Sequence, residues 1–196
     1  MNYENMSKEE LIELLKLKDL QIGDLIDISS LDDLTKVLNR RAGIEKFNEL
    51  YRYSLINNQD ISICFADLDN LKVINDTWGH KSGDEALINI SYIIKKNIRK
   101  EDFIFRFGGD EFVIIFPNTS TEKADKVLKR ICRNLRESNV NSKYKLGLSY
   151  GLCSCKEFGK YNISFDDFLN NADYEMYKNK NKNKNLIMVE SEIIKE

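Results

Sequence analysis

An α+β fold built on one antiparallel sheet is predicted by three observations that together set the order β, α, β, β, α, β. Residues 61–66 form a β-rich run, and helical periodicity follows from Asp84 to about Ile98. Two β-rich segments then flank Gly108 and Gly109, and a helical pattern covers residues 121–137. Residues 145–153 close the order as a further strand. This is the order of a ferredoxin-like, palm-type split core, with helices on one face of the sheet and an N-terminal helix added.

The elements follow in chain order. Ser7, with Glu10 three residues on, makes a capping box ahead of Leu11, Leu14, Leu15, Leu17, Ile22, Leu25 and Ile28, which predicts a helix of about six turns. Its stripe Leu11, Leu15, Ile22, Leu25 approaches a heptad seam that Lys18 interrupts and Gly23 weakens. Two readings stand: a helix packed on its own domain, or a dimerising coiled coil. Residues 29–33 read as a break, so the chain divides into an N-terminal helix over 1–30 and a main domain over 31–192. A second amphipathic helix is expected over 40–57. After the turn formers Asn57, Asn58, Gln59 and Asp60, the first strand ends abruptly in Asp67, Asp69 and Asn70. A last helix covers 165–180, followed by a short strand near 186–189.

Composition narrows the function. With 30 basic and 32 acidic residues the net charge is -2, so nothing draws the chain in general to nucleic acid or to an anionic membrane. No apolar run approaches the roughly 20 residues of a membrane span, and the N-terminus lacks the basic-then-apolar order of a signal peptide. The expectation is a soluble, cytoplasmic protein. Cys64, Cys132, Cys153 and Cys155 lack the paired spacing of a zinc site and read as reduced thiols.

The chemistry gathers around FRFGGDEFVIIF at 105–116. Paired glycines at a hairpin let backbone come close to a ligand such as a phosphate, although an ordinary hairpin with solvated acids has the same sequence. In a split order the first and third elements usually lie side by side, which would bring Asp67 and Asp69 to Asp110 and Glu111. Three or four converging carboxylates need a cation, and magnesium takes oxygen ligands while bridging to phosphates. That arrangement resembles nucleotidyl-transfer sites. His80, the single histidine, reads as structural, and Trp78 as packing.

Five motifs in order resemble the GGDEF family of diguanylate cyclases across about residues 30–190: LDDLTKVLNRR at 31–41, ADLDNLKVINDTWGHKSGDEAL at 66–87, RFGGDEF at 106–112, LSYG at 148–151 and ADYEMYKNKNKNKN at 172–185. The resemblance implies a homodimer that condenses two GTP into cyclic di-GMP with magnesium, or manganese in its place. It implies that Asp67, the Leu68 carbonyl and Asp110 hold the metal with support from Glu111, and that Asp110 and Glu111 are the catalytic acids. Asp110 would accept the proton of the ribose 3′-hydroxyl. Gly108, Gly109, Lys72, Asn75, Asp84 and Lys180 would bind substrate: Asn75 and Asp84 read guanine, and the two lysines take the triphosphate. Arg99 and Asp102 match an RxxD product-inhibition site, for which surface charges are the plain alternative. Asn75, Asp76 and Gly79 could equally form a turn, and Asp84 could sit in a helix's first turn. Leu71 stands where the family usually has Phe, and Asn183 and Lys184 where it has Gly and Arg. Asp84 favours GTP over ATP, because a carboxylate accepts from guanine N1 and N2. The rivals are a non-catalytic nucleotide receptor and a synthase of mixed cyclic dinucleotides.

Overall fold

The computed structural model describes the backbone of residues 6–28, 30–158 and 163–193. The chain falls into two compact units, Met1–Leu31 and Asp32–Glu196. The first holds helix α1, Lys8–Ile28. Its capping box forms as expected: the Ser7 N–H donates to Glu10 Oε2 at 2.7 Å, and the Glu10 N–H to Ser7 Oγ at 3.2 Å. Ile12, Leu15 and Leu17 are exposed; the seam side chains Ile22, Leu25 and Ile28 lie outside the described residues.

The second unit holds α2 (Arg40–Asn57), β1 (Ile61–Leu68), α3 (Leu71–Trp78), α4 (His80–Asn97), β2 (Phe103–Arg106), β3 (Glu111–Pro117), α5 (Thr121–Ser138), β4 (Leu148–Ser154) and α6 (Phe165–Ile193). The four strands form an antiparallel sheet in the order β2-β3-β1-β4, so the β-α-β-β-α-β reading holds, and the first and third strands are neighbours.

Helices cover both faces of this sheet, not one. On β1, Cys64, Ala66 and Leu68 join Phe112, Ile114 and Phe116 of β3 in a core closed by α3, α4 and α5. The alternate residues Ile61, Ile63 and Phe65 join Val113 and Ile115 in a second core closed by α2 and α6 through Phe47, Tyr51, Phe168 and Met176. The physical reason was present in the sequence: a strand buried on both faces reads as an unbroken apolar run, as 61–66 does, and not as an alternation. Each fully buried Phe or Ile side chain contributes about 1.5–3 kcal/mol, so neither layer is dispensable.

Two further differences bear on the site. Helix begins at Leu71, not Asp84, because Asn70 takes a left-handed conformation (φ 63°) and turns the chain from β1 straight into α3. Gly79, at φ +83°, then breaks α3 from α4. Asn75 and Asp76 are therefore helical, and Gly79 alone makes the turn. At the other end α6 continues through residues 186–189 to Ile193, where a strand was expected. A short apolar run carries no periodicity of its own, and extending an existing helix costs little. No helix among the described residues is long and apolar enough to cross a membrane.

Candidate active site

β1 ends and β3 begins at the same edge of the sheet, which brings their acids together. Asp67 pairs directly with Glu111 in the ladder. Both continue the rows that face α2 and α6. The Leu68 N–H donates to the Asp110 carbonyl at 3.0 Å, tying the Gly-Gly turn to the end of β1.

The turn is braced from outside. The Arg106 guanidinium donates to the Gly109 carbonyl at 2.8 Å from one nitrogen and to Asp32 Oδ1 at 3.2 Å from another. Asp32 is fixed in turn by the Thr35 N–H at 2.8 Å and hydroxyl at 2.6 Å. Burial pushes the Asp32 carboxyl up, but the Thr35 hydrogen bonds and Arg106 outweigh it and hold it below the usual range. Gly108 and Gly109 do not take the left-handed conformation that a tight hairpin would use. What they supply is space: a Cβ on Gly108 would come within 2.7 Å of Glu111 Oε2, and one on Gly109 would meet nothing within 4 Å.

Like charges directly opposite in a ladder are destabilising, and here a lysine compensates them. Lys180, 113 residues along the chain from Asp67, places Nζ 2.6 Å from Asp67 Oδ1 and 3.9 Å from Asp69 Oδ1. Asp69 also accepts from the Ser149 hydroxyl at 2.6 Å. Burial lowers the Lys180 pKa, but the bond and charge of Asp67, with Asp69 and Asp110, raise it overall. Glu111 is pushed above the usual range by burial and then by Asp110, Asp67 and Asp173, against a partial pull from Arg40. Arg40 itself lies 4.0 Å over the Phe107 ring.

The residues fit a hard divalent cation in chemistry. Every candidate donor here is a carboxylate or carbonyl oxygen, and the Lys180 ammonium already stands among them as a cation. The convergence of three or four carboxylates expected from sequence is reached by backbone register but not by side-chain geometry. Among the described residues no three Asp, Glu, His or Cys side chains form a metal-ligand set. Mutual repulsion and the engagement of Asp67 by Lys180 account for this.

Asn75 of α3 lies against the first turn of α4, next to Asp84 in the chain, since a Cβ on Gly83 would collide with the Asn75 amide oxygen. Lys72 and Asp84 are exposed and Asn75 is half-buried. Arg99 and Asp102 are not brought to this site. They precede β2, with Gly108 six positions on from Asp102, roughly 20 Å at the rise of a strand. His80 is exposed at the start of α4, and Trp78 packs obliquely on Tyr144, ring centres 5.8 Å apart. Sequence reasoning missed the Asp32–Arg106 brace and the Lys180–Asp67 pair. The motif around residues 31–41 was the available signal for the first; nothing local signals the second.

Residues 29–186 match the family described as "Diguanylate cyclase, GGDEF domain". The chain belongs to the GGDEF domain family. Among curated relatives, it is 34% identical over 163 residues to the uncharacterized protein YtrP of Bacillus subtilis (strain 168), covering 83% of this chain and 26% of that protein. It is 29% identical over 157 residues to diguanylate cyclase DosC of Escherichia coli (strain K12), covering 80% and 34%. The chain thus spans about a third or less of the length of these relatives. Among solved structures it resembles diguanylate cyclase SiaD of Pseudomonas aeruginosa, crystallised with its activator SiaC, at a TM-score of 0.75 and 28% identity, over 87% of this chain and 65% of that one. The GGDEF motif that names the family is the turn at Gly108–Phe112, whose Asp110 carbonyl and Glu111 register anchor it to β1.

Proposed function

We propose that this GGDEF domain is the catalytic part of a cytoplasmic diguanylate cyclase, a magnesium-dependent homodimer that converts two GTP into cyclic di-GMP and two pyrophosphates. The observation that carries the reading is the Asp67–Glu111 pair, set across the ladder beside a Gly-Gly turn that leaves room for a ligand at Gly109.

Asp67, the Leu68 carbonyl, Asp110 and Glu111 would hold magnesium, or manganese in its place. When bound, the ion screens the α-phosphate and acidifies the attacking hydroxyl. Asp110 accepts the proton of the 3′-hydroxyl as its oxygen bonds to the α-phosphorus of the second GTP, and the bond to the pyrophosphate leaving group breaks. Lys72 and Lys180 hold the triphosphate, and Gly108 and Gly109 let the turn approach it. Asn75 and Asp84 read guanine: the carboxylate accepts from N1–H and the 2-amino group, donors that adenine does not offer in that pattern. The ring product contains two such linkages, so two sites must face one another, and dimerisation is part of catalysis.

Product inhibition at Arg99 and Asp102 belongs to the same reading. Asp102 is 7% exposed, its Oδ2 accepts the Arg99 N–H at 2.8 Å, and its Oδ1 has no partner among the described residues. The exposed Arg99 suits a phosphate of the product, and the unpaired Asp102 oxygen would take a guanine edge once the packing over it opens.

The test is to incubate the purified chain with GTP and magnesium beside Asp110→Ala, and to identify nucleotides by chromatography and mass. Cyclic di-GMP from wild type, lowered on the order of 10³-fold in the variant, is expected; tight GTP binding with no product would favour a receptor.

A further inference from the structure

We infer that Lys180 is a resident counter-ion of the acidic cluster, which a divalent cation must displace from Asp67, so that metal entry releases the lysine to the substrate's triphosphate. The inference rests on the proposed function for the identity of metal and triphosphate, and adds to it an exchange of cations within the chain.

The geometry sets up a competition for one oxygen. Lys180 Nζ is 2.6 Å from Asp67 Oδ1, a short charge-assisted bond. A magnesium ligand distance is about 2.0–2.1 Å, so an ammonium and a dication on the same oxygen would lie within van der Waals range of each other and repel. The ammonium is also an incomplete remedy. Among the described residues neither Asp110 nor Glu111 has an ion pair. A single charge leaves the cluster electrostatically unsatisfied, and a dication would satisfy it better.

The backbone cannot withdraw the lysine. α6 is seated on β4 at Gly151, where even a Cβ would collide with the carbonyl of Ala172 and the N–H of Met176. What can move is the flexible four-carbon stem, half-buried at 33% side-chain exposure. A displaced ammonium keeps only the longer contact to Asp69, 3.9 Å in this structure, and gains a better partner in a phosphate. Metal should therefore bind weakly to the protein alone and more tightly once a triphosphate is present to receive the lysine, a reciprocal coupling between the two ligands.

The test measures manganese affinity of the full chain without nucleotide, from the electron paramagnetic resonance signal of free Mn²⁺. Lys180→Met should bind Mn²⁺ at least about tenfold more tightly than wild type, since the competing cation is gone. Lys178→Met is the control: it removes the same charge two residues away, from a lysine paired with Glu175 at 2.7 Å, and should change affinity less than about twofold. Equal or weaker binding by Lys180→Met would overturn the inference, as would an equal gain in Lys178→Met, which would reduce the effect to the general field. Should Lys180→Met fold poorly, the Lys180 Nζ resonance of wild type serves instead: saturating magnesium without nucleotide must shift it, and an unmoved signal overturns the exchange. Failure of the proposed function is distinguishable, because a chain that makes no cyclic di-GMP can still show the exchange, and an active chain can lack it.

Discussion

At one end of the sheet Asp67 and Glu111 stand half-buried, opposite one another, with Lys180 laid against Asp67 at 2.6 Å. At the other, just ahead of β2, Asp102 is buried to 7% exposure with one oxygen on the Arg99 N–H and the other on nothing among the described residues. The same residue type is thus stabilised in two ways. The acid pair is answered by the side-chain cation of Lys180, and the isolated acid is held by a fixed backbone donor while burial pushes its carboxyl up. A charge cluster answered by a side chain suits ligands that come and go with their own charge. A desolvated carboxylate with a spare acceptor suits one that donates hydrogen bonds.

Three substitutions sharpen the contrast, in falling order of effect. Gly151→Ala should act most strongly, because its Cβ would strike the α6 backbone. Overpacking of that kind costs about 1–3 kcal/mol, and any shift of α6 misplaces Lys180 relative to the triphosphate it is proposed to hold, so both the melting temperature and the rate of cyclic di-GMP formation should fall.

Asp32→Asn removes the anchor of the Arg106 brace at the acid end and should destabilise the unit by about 1–2 kcal/mol at neutral pH, read from urea unfolding. The sign of its pH dependence follows from the carboxyl lying below its ordinary 3.8 in the folded state. Its contribution is fully present above the unfolded value and is lost as pH falls through the folded one. Wild type and variant should therefore converge in stability at low pH; a difference that persists there would mean the brace is not electrostatic.

Arg99→Ala acts on the opposite end. It should raise the concentration of cyclic di-GMP needed for half-inhibition about tenfold, the worth of one charged hydrogen bond. Unchanged inhibition would place product binding elsewhere.

Much of this was legible in sequence, and the exceptions have physical causes. The strand ending in Asp67 and the turn at Gly108–Gly109 are local patterns, and a split topology places the first strand beside the third, so the meeting of Asp67 with Glu111 could be anticipated. The second helical layer does not follow from the strand pattern alone: the unbroken run at 61–66 marks a strand, and only the need to bury its second face calls for helices there. The helix over residues 186–189 was missed because four apolar residues hold no period. α3 was missed because its start depends on a left-handed Asn70, which a propensity reading treats only as a turn former. The Lys180–Asp67 pair was invisible for a different reason. It joins positions 113 residues apart and depends on how closely α6 seats at Gly151, a matter of packing that no motif spells out.

The most direct test of the central claim is the reaction's stoichiometry and order: cyclic di-GMP and pyrophosphate measured together from GTP and magnesium over a dilution series of the purified chain. The account predicts two pyrophosphates for each cyclic di-GMP, with a rate that rises as the square of protein concentration when the chain is dilute. Pyrophosphate without the cyclic product, or a rate strictly proportional to protein at every dilution, would contradict two facing sites acting on two GTP.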